Sequence, residues 1–579
     1  MDICRLASLC YNVSSITRRW FCVFYRADYS HPGFKSVSDL FYREFVSRNP
    51  VTASWMGDHQ FDGHLPEIGA GAIEHNISFL REMRHNFSSL PENELSIDER
   101  IDREAILQFI DQQLFWDEDL CRWKLGRDLA MHIGDSIFLL FARDYAPLTD
   151  RVQSIISRLR AVPAFLMEGR TLFQQVPALW GEIFLDSARN LPNFIDTVED
   201  SIGRQVPAAL HNDYKNAASE AKRALAEFSN WLKHAIMPKA GHEWSLGPNG
   251  FQALLAGKKL GLNQNEILDL GKKVLQTAGE RLENLSCLIL GVATGSATGA
   301  RAEVQKKIRN HAPKSFELSL ESFRDALNRS RAFVETSGFA TVPEREELEV
   351  IETPDFMSHL IPFSAYIGPE KTAETQKGTY LLTRSPSADS SRYNYADIIN
   401  CAIHEGYPGH HLQLAAQNFH PGRMRAFCES MELIEGWASY CQNQVRELGF
   451  ETSPESLFAH ATEEVFDAAR LITDINLQTR TWNFNEAVNF LMEQTKIDKN
   501  SAMAEVKRQA QYPGSQISGL AGEYLLRQVK QELQHQFKGD FTDRAFHDLV
   551  LYQGSLPFVT IRSYYPELMK ATIKEQHRG

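Results

Sequence analysis

Residues 404–411 read His404-Glu405-Gly406-Tyr407-Pro408-Gly409-His410-His411, and nowhere else in 579 residues do three histidines and a carboxylate fall within eight positions. Imidazoles and carboxylates are zinc donors. In an intact H-E-x-x-H helix two histidines one turn apart hold the metal, and the glutamate between them acts as general base. Here Pro408 stands where the second histidine belongs. On a regular helix, at about 1.5 Å per residue, His404 and His410 would lie ~9 Å apart along the axis and off one another's face. Proline cannot continue the hydrogen-bond ladder and clashes one turn back, while glycine tolerates unusual backbone geometry. A local bulge at Tyr407-Pro408-Gly409 is therefore expected to remove two residues from the helical count and make His410 the second ligand.

The third ligand should come from a helix shortly downstream. Glu429, Glu432 and Glu435 recur at three-residue spacing ahead of Gly436-Trp437-Ala438-Ser439-Tyr440. Glu435, followed by a glycine that lets backbones approach, is the expected ligand, and Glu432 is expected to orient one histidine from outside. Two histidines and a glutamate make zinc the default metal and leave a fourth position for water, whose pKa falls towards 7 with Glu405 beside it to take the proton. His420, His460 and His547 read as surface or cap residues, Cys401 as a buried cysteine on an apolar face, and Trp437 and Tyr440 as core beside the site.

The elements that must hold these residues are mostly helical. Leu40, Phe41, Phe45 and Val46 form the first buried stripe. Amphipathic segments follow at 72–88, 96–123, 149–173, 191–202, 205–235, 264–287 and 316–336, with Asn263 or Asn265 as cap ahead of Glu266. Between Leu348 and Thr383 short β-branched and aromatic runs bounded by Pro and Gly predict a small sheet, whose edge could pair with an extended peptide. Helix resumes at 395–418, 424–447, 454–472, 483–494, 499–510 and 518–536. Pro238, Gly241, Gly247, Pro248 and Gly250 mark a soft boundary. The expected organisation is a leader over 1–35, an N-terminal helical subdomain over 36–240 and a metal-motif subdomain over 241–579, joined in one continuous body. No fixed-period repeat suggests a solenoid.

Composition narrows the partners. Hydrophobic residues at 43% and charged residues at 23% are those of an ordinary globular chain. A formal charge of −13 without a dense Lys/Arg cluster argues against nucleic acid or an anionic membrane surface, which leaves small molecules or peptides. Eight cysteines without C-x-x-C spacing fit a reducing compartment better than a disulfide framework. No apolar run approaches the ~18 residues of a membrane span. A cytoplasmic protein is expected, with Arg5, Arg18 and Arg19 giving residues 1–30 a faint likeness to an organellar transit segment.

The phrases His404 to Gln413 and Glu435-Gly436-Trp437-Ala438 resemble the signature of the family catalogued as domain of unknown function 885, with further matches at Pro50 to Leu65, Trp244 to Gly271, Phe546-His547-Asp548 and Gly554-Ser555-Leu556-Pro557, so that the likeness covers about residues 36–570. That family in turn is similar to gluzincin metallopeptidases of the oligopeptidase and thermostable-carboxypeptidase type. The resemblance implies a mainly α fold, a large helical shell around a deep channel with a small β-sheet beside the motif helix. It implies zinc held by His404, His410 and Glu435, Glu405 as general base, and short peptides or peptide-like amides as substrates. Two family positions differ. Asp474-Ile475-Asn476-Leu477-Gln478 lacks the usual histidine, and Pro513-Gly514-Ser515-Gln516-Ile517-Ser518-Gly519 lacks the usual tyrosine. Gln478, Arg508, Tyr512 or Gln516 would have to supply the missing oxyanion donors, each worth about 10²–10³ in rate, and only Gln478 matches by position. The alternative is a repurposed member, with its metal used for other small-molecule chemistry or for binding alone.

Overall fold

The computed structural model describes residues 30–293, 299–353, 361, 363–384 and 393–576. Most of the leader and the cysteines at 4, 10 and 22 lie outside the described residues. Helix is dominant, and its boundaries follow local chemistry. Ser96 and Glu99, Asn263 and Glu266, and Asn483 and Glu486 each close a reciprocal cap at the start of Ile97–Leu114, Gln264–Leu290 and Phe484–Thr495. Of the two candidate caps near 264, Asn263 is the one used.

Several helices differ from their sequence-based outlines. Ala178–Ile202 begins well ahead of 191 and carries Pro192 inside it. The segment from 424 opens as a short 3₁₀ turn, Arg423–Phe427, and the helix proper is Met431–Glu447. The helix expected to stop near 472 runs from Pro454 to Gln478. Leu129–Ala142, Gly247–Lys258, Ala300–Asn310, Asp543–Tyr552 and Phe558–Gln576 are helices that the sequence did not reveal. Leu129–Ala142 escapes periodicity because its sequence is apolar at most positions, although Met131 and Asp135 are exposed.

The small sheet lies where the sequence placed it, with β1 (Glu346–Glu352), β2 (Ser364–Ile367) and β3 (Gln376–Leu382) in the order β1-β3-β2. β1 and β3 are parallel, Glu346 opposite Gln376; β2 and β3 are antiparallel, Ser364 opposite Leu382. The edge strand β2 is only partly covered.

Apolar burial is organised in one main core and satellites. Residues between Ile68 and Leu232 pack around their own cluster, the N-terminal helical part. Ile101 and Ala105 instead join the main core, which extends to Ile573 and contains Trp437 and Tyr440, both fully buried as expected. A phenylalanine cluster stitches the chain's beginning to the loop after the motif, Phe41 and Phe45 meeting Phe427 edge-on at 5.3 and 5.1 Å between centroids. No helix among the described residues is long and apolar enough to cross a membrane.

Candidate metal centre

The motif helix opens at Asn394, whose side chain accepts the backbone N–H of Asp397 at 3.0 Å. Tyr395–Cys401 is α-helical, but Ala402–Gly406 widens into a π turn, and the chain then breaks before restarting as His410–Gln417. The distortion thus begins earlier than Tyr407, inside the turn that carries His404 and Glu405. Tyr407 is extended, and the Tyr407–Pro408 peptide is cis. The backbone N–H groups of Tyr407 and Gly409 donate to the carbonyls of Ala402 and Ile403 at 3.0 and 3.1 Å. A β-carbon at Gly409 would overlap the carbonyl oxygens of both Ile403 and His404. Glycine is required there for close approach, with φ at an ordinary −71°.

The break folds His410 back over His404. Their rings stand perpendicular with centroids 4.8 Å apart. Glu435 enters from Met431–Glu447, its Oε2 3.8 Å from His410 Nε2. One donor atom from each of His404, His410 and Glu435 lies within 4.8 Å of the other two. Two atoms each about 2.0–2.2 Å from one ion can be at most ~4.4 Å apart, so these side chains need only a small inward movement to share a zinc. The donor set fits the metal, and Nδ1 of His410 is a buried nitrogen without a hydrogen-bond partner among the described residues.

Two contacts pin the ligand helix to this break. Trp437 donates its indole N–H to the carbonyl of Pro408 at 2.8 Å. Gly436 meets Gly522 of Ser518–Phe537 so closely that a β-carbon on either would overlap the other helix's backbone, which bears out the close approach expected of Gly436.

The electrostatics divide the two imidazoles. His404 is pulled down by burial, but Glu405, Glu435, Glu463 and the bond to Gln442 outweigh this and raise its pKa. Burial, with the charge of His404 beside it, drives His410 well below the ordinary range, so it is neutral and ready to ligate. Glu405 is raised mainly by burial, with Glu435 adding and His404 opposing.

Sequence reasoning misplaced several supports. Glu432 does not orient a histidine; it pairs with Lys258 and receives Ser430 and Ser518 at 3.4 Å. Gln442 takes that part, 3.2 Å from His404 Nδ1. Its place seven residues beyond Glu435, on the same helix face, was the available signal. Glu463, Asp467 and Arg470 form a charged stripe on Pro454–Gln478, and all three are coupled electrostatically to His404 or Glu435. His411 is not a ligand: its ring nitrogens meet Glu346 of β1 at 2.7 Å and Tyr366 of β2 at 3.0 Å, tying sheet to motif. His460 and His547 are buried, contrary to the surface reading; His547 stands between the hydroxyl of Tyr440 and the carbonyl of Phe339, each at 2.8 Å.

The four candidate donors beyond Glu405, namely Gln478, Arg508, Tyr512 and Gln516, make their contacts in other parts of the chain. Gln478 is fully buried, donating to the carbonyl of Gln509 at 2.9 Å and accepting the N–H of Leu246 at 3.2 Å. It lies eleven residues, ~16 Å along the helix, beyond Asp467. Arg508 is on the surface with Glu505 and Gln516. Tyr512 is 48% exposed and lines a separate cavity with Trp116 and Trp180.

Residues 50–563 match the family described as "Bacterial protein of unknown function (DUF885)". The chain belongs to this family. Two solved structures share the fold. A candidate lipoprotein of unknown function from Shewanella oneidensis is 19% identical with a TM-score of 0.76, covering 92% of this chain and 99% of its own. A candidate lipoprotein from Colwellia psychrerythraea is 16% identical with a TM-score of 0.78, covering 94% and 99%. No curated protein matches the sequence.

Proposed function

We propose that this family member is a zinc-dependent hydrolase of short peptides or peptide-like amides, a helical shell of gluzincin type acting in the cytoplasm. The observation that carries the reading is the convergence of His404, His410 and Glu435 across a helix break, with Glu405 in the same π turn. Zinc bound there would polarise a carbonyl and acidify water. Glu405, in the same turn as His404, would accept the proton and return it to the leaving amine. Gln442 and Glu463 would fix the tautomer of His404. The partly covered edge of β2 offers backbone groups to an extended substrate.

A second reading, a metal site turned to other small-molecule chemistry or to binding, draws on one observation: Gln478 is spent on the backbone and cannot take over the missing histidine's hydrogen bond. Zinc content and turnover of a dipeptide library decide between them. Wild type should hold one zinc and hydrolyse dipeptides; Glu405→Gln should keep the zinc and lose about 10²–10⁴ in rate. Glu435→Gln should lose zinc. A zinc-loaded wild type that cleaves no peptide favours the second reading, and absence of zinc binding rejects both enzymatic forms.

A further inference from the structure

A cavity of about 500 Å³ opens where the N-terminal helices meet the ligand helix, a volume suited to a small ligand. Its walls are Trp116, Trp180, Phe184 and Tyr512, and Met431, the first residue of the helix that carries Glu435, lies on its rim. Met431 stands about one helical turn, ~6 Å along the axis, ahead of Glu435. Exposed methionine and tyrosine at 47% and 48% leave this mouth lined with apolar and aromatic surface.

Charge inside the cavity is unevenly balanced. Arg127 pairs with Asp117 at 2.9 Å, and Lys258 with Glu432. Asp128 accepts from Ser187 at 2.6 Å and caps the N–H of Met131 at 3.0 Å. Among the described residues Arg122 has no acidic partner: its guanidinium lies over the faces of Trp180 and Trp116, 4.6 and 5.5 Å from their centroids, and it donates to the carbonyl of Gln511 at 3.4 Å. Burial lowers its pKa to about 10 with no acid to offset it. This half-buried guanidinium without an acidic partner is open to an anion from the cavity, and its planar fork matches a carboxylate. Trp180, 5% exposed, adds a buried indole N–H without a partner among the described residues.

We infer that this cavity binds an aromatic carboxylate, its carboxyl group on Arg122 and its ring among Trp116, Trp180 and Tyr512. Resting on the proposed peptidase reading, the ligand is the carboxyl-terminal residue of a peptide whose body extends past Met431 towards Glu435. The acid-binding site itself needs no metal.

The test is a titration of the full-length protein, freed of metal by chelation, with N-acetylphenylalanine and with its carboxamide, followed by tryptophan fluorescence and calorimetry. The acid should bind at least about tenfold more tightly than the amide, the equivalent of ~1.4 kcal/mol. Arg122→Gln should abolish that preference, and Tyr512→Leu, at the exposed lip, should weaken acid and amide alike. Equal binding of acid and amide, or no binding of either, overturns the inference; should Arg122→Gln fail to fold, the acid-to-amide ratio in wild type and Tyr512→Leu decides. Peptides with a free aromatic carboxyl terminus should then compete with the acid, while free acid binding without competition by such peptides rejects the peptide assignment. Failure of zinc binding would leave the acid titration unchanged, so the two proposals fail separately.

Discussion

The carboxamide oxygen of Gln442 lies 3.2 Å from Nδ1 of His404, and the same side chain donates its nitrogen to Glu463 at 2.9 Å. Glu463 can only accept when ionised, so the amide is oriented with its oxygen towards the imidazole, and Nδ1 carries the proton. Nε2 is then the nitrogen that can bind a metal, which must displace the proton that the surrounding acids favour there. Gln442→Leu should weaken zinc binding by about 10–100-fold without loss of helix content. Competition with a chromophoric chelator measures this, and unchanged affinity would remove Gln442 from the site.

Gly436→Ala should be destabilising by about 1–3 kcal/mol, since the new methyl meets the backbone at Gly522 and the two helices must separate. Urea denaturation checks the stability. The same variant should bind zinc more weakly, because Glu435 rides on the displaced helix.

Arg425 is buried against Asp102, with Asp98 at 3.4 Å and the Gln553 side chain and carbonyl at 2.8 and 2.7 Å. Arg425→Met should cost about 3–5 kcal/mol by leaving buried acids without their cation. Adding Asp102→Asn should recover part of the loss. A double variant no better than the single one would show that the arginine acts chiefly through Gln553.

His59 stacks on Tyr145 at 3.6 Å and bonds Asp62 at 2.9 Å. Burial lowers its pKa, but the bonds and charges of Asp62 and Glu370 prevail and lift it from 6.5 to about 9. A histidine whose folded pKa is raised stabilises fully below its unfolded value and loses that contribution as pH climbs through the folded one. The advantage of wild type over His59→Gln should therefore be full below 6.5, shrink as pH approaches 9, and vanish above it. Thermal melts across that range provide the measurement, and a constant advantage would remove the ion pair as its source.

Much of the candidate metal centre could be read in the chain because its three donor residues are chemically rare and close in sequence. His404, His410 and Glu435 fall within 32 residues, and proline followed by glycine announces the break between the first two. The π turn beneath His404 had no such announcement, since Ala402-Ile403 is ordinary helix former. Gln442 escaped because an amide among apolar residues resembles any other polar position. Helices such as Leu129–Ala142 were hidden because their sequences are apolar at most positions, which blurs the stripe that periodicity detects. The role considered for Gln478 depended on a family position, and its side chain is held by Gln509 and Leu246, distant in sequence, while Arg508 is paired locally with Glu505 and Tyr512 lines a separate cavity.

The indole hydrogen bond from Trp437 to Pro408 joins the two halves of the ligand set through a residue with no exposed surface. Glu435 and the two histidines consequently belong to one cooperative unit, without a hinge between them. A substitution that loosens either segment at this contact should therefore be felt at all three donors together.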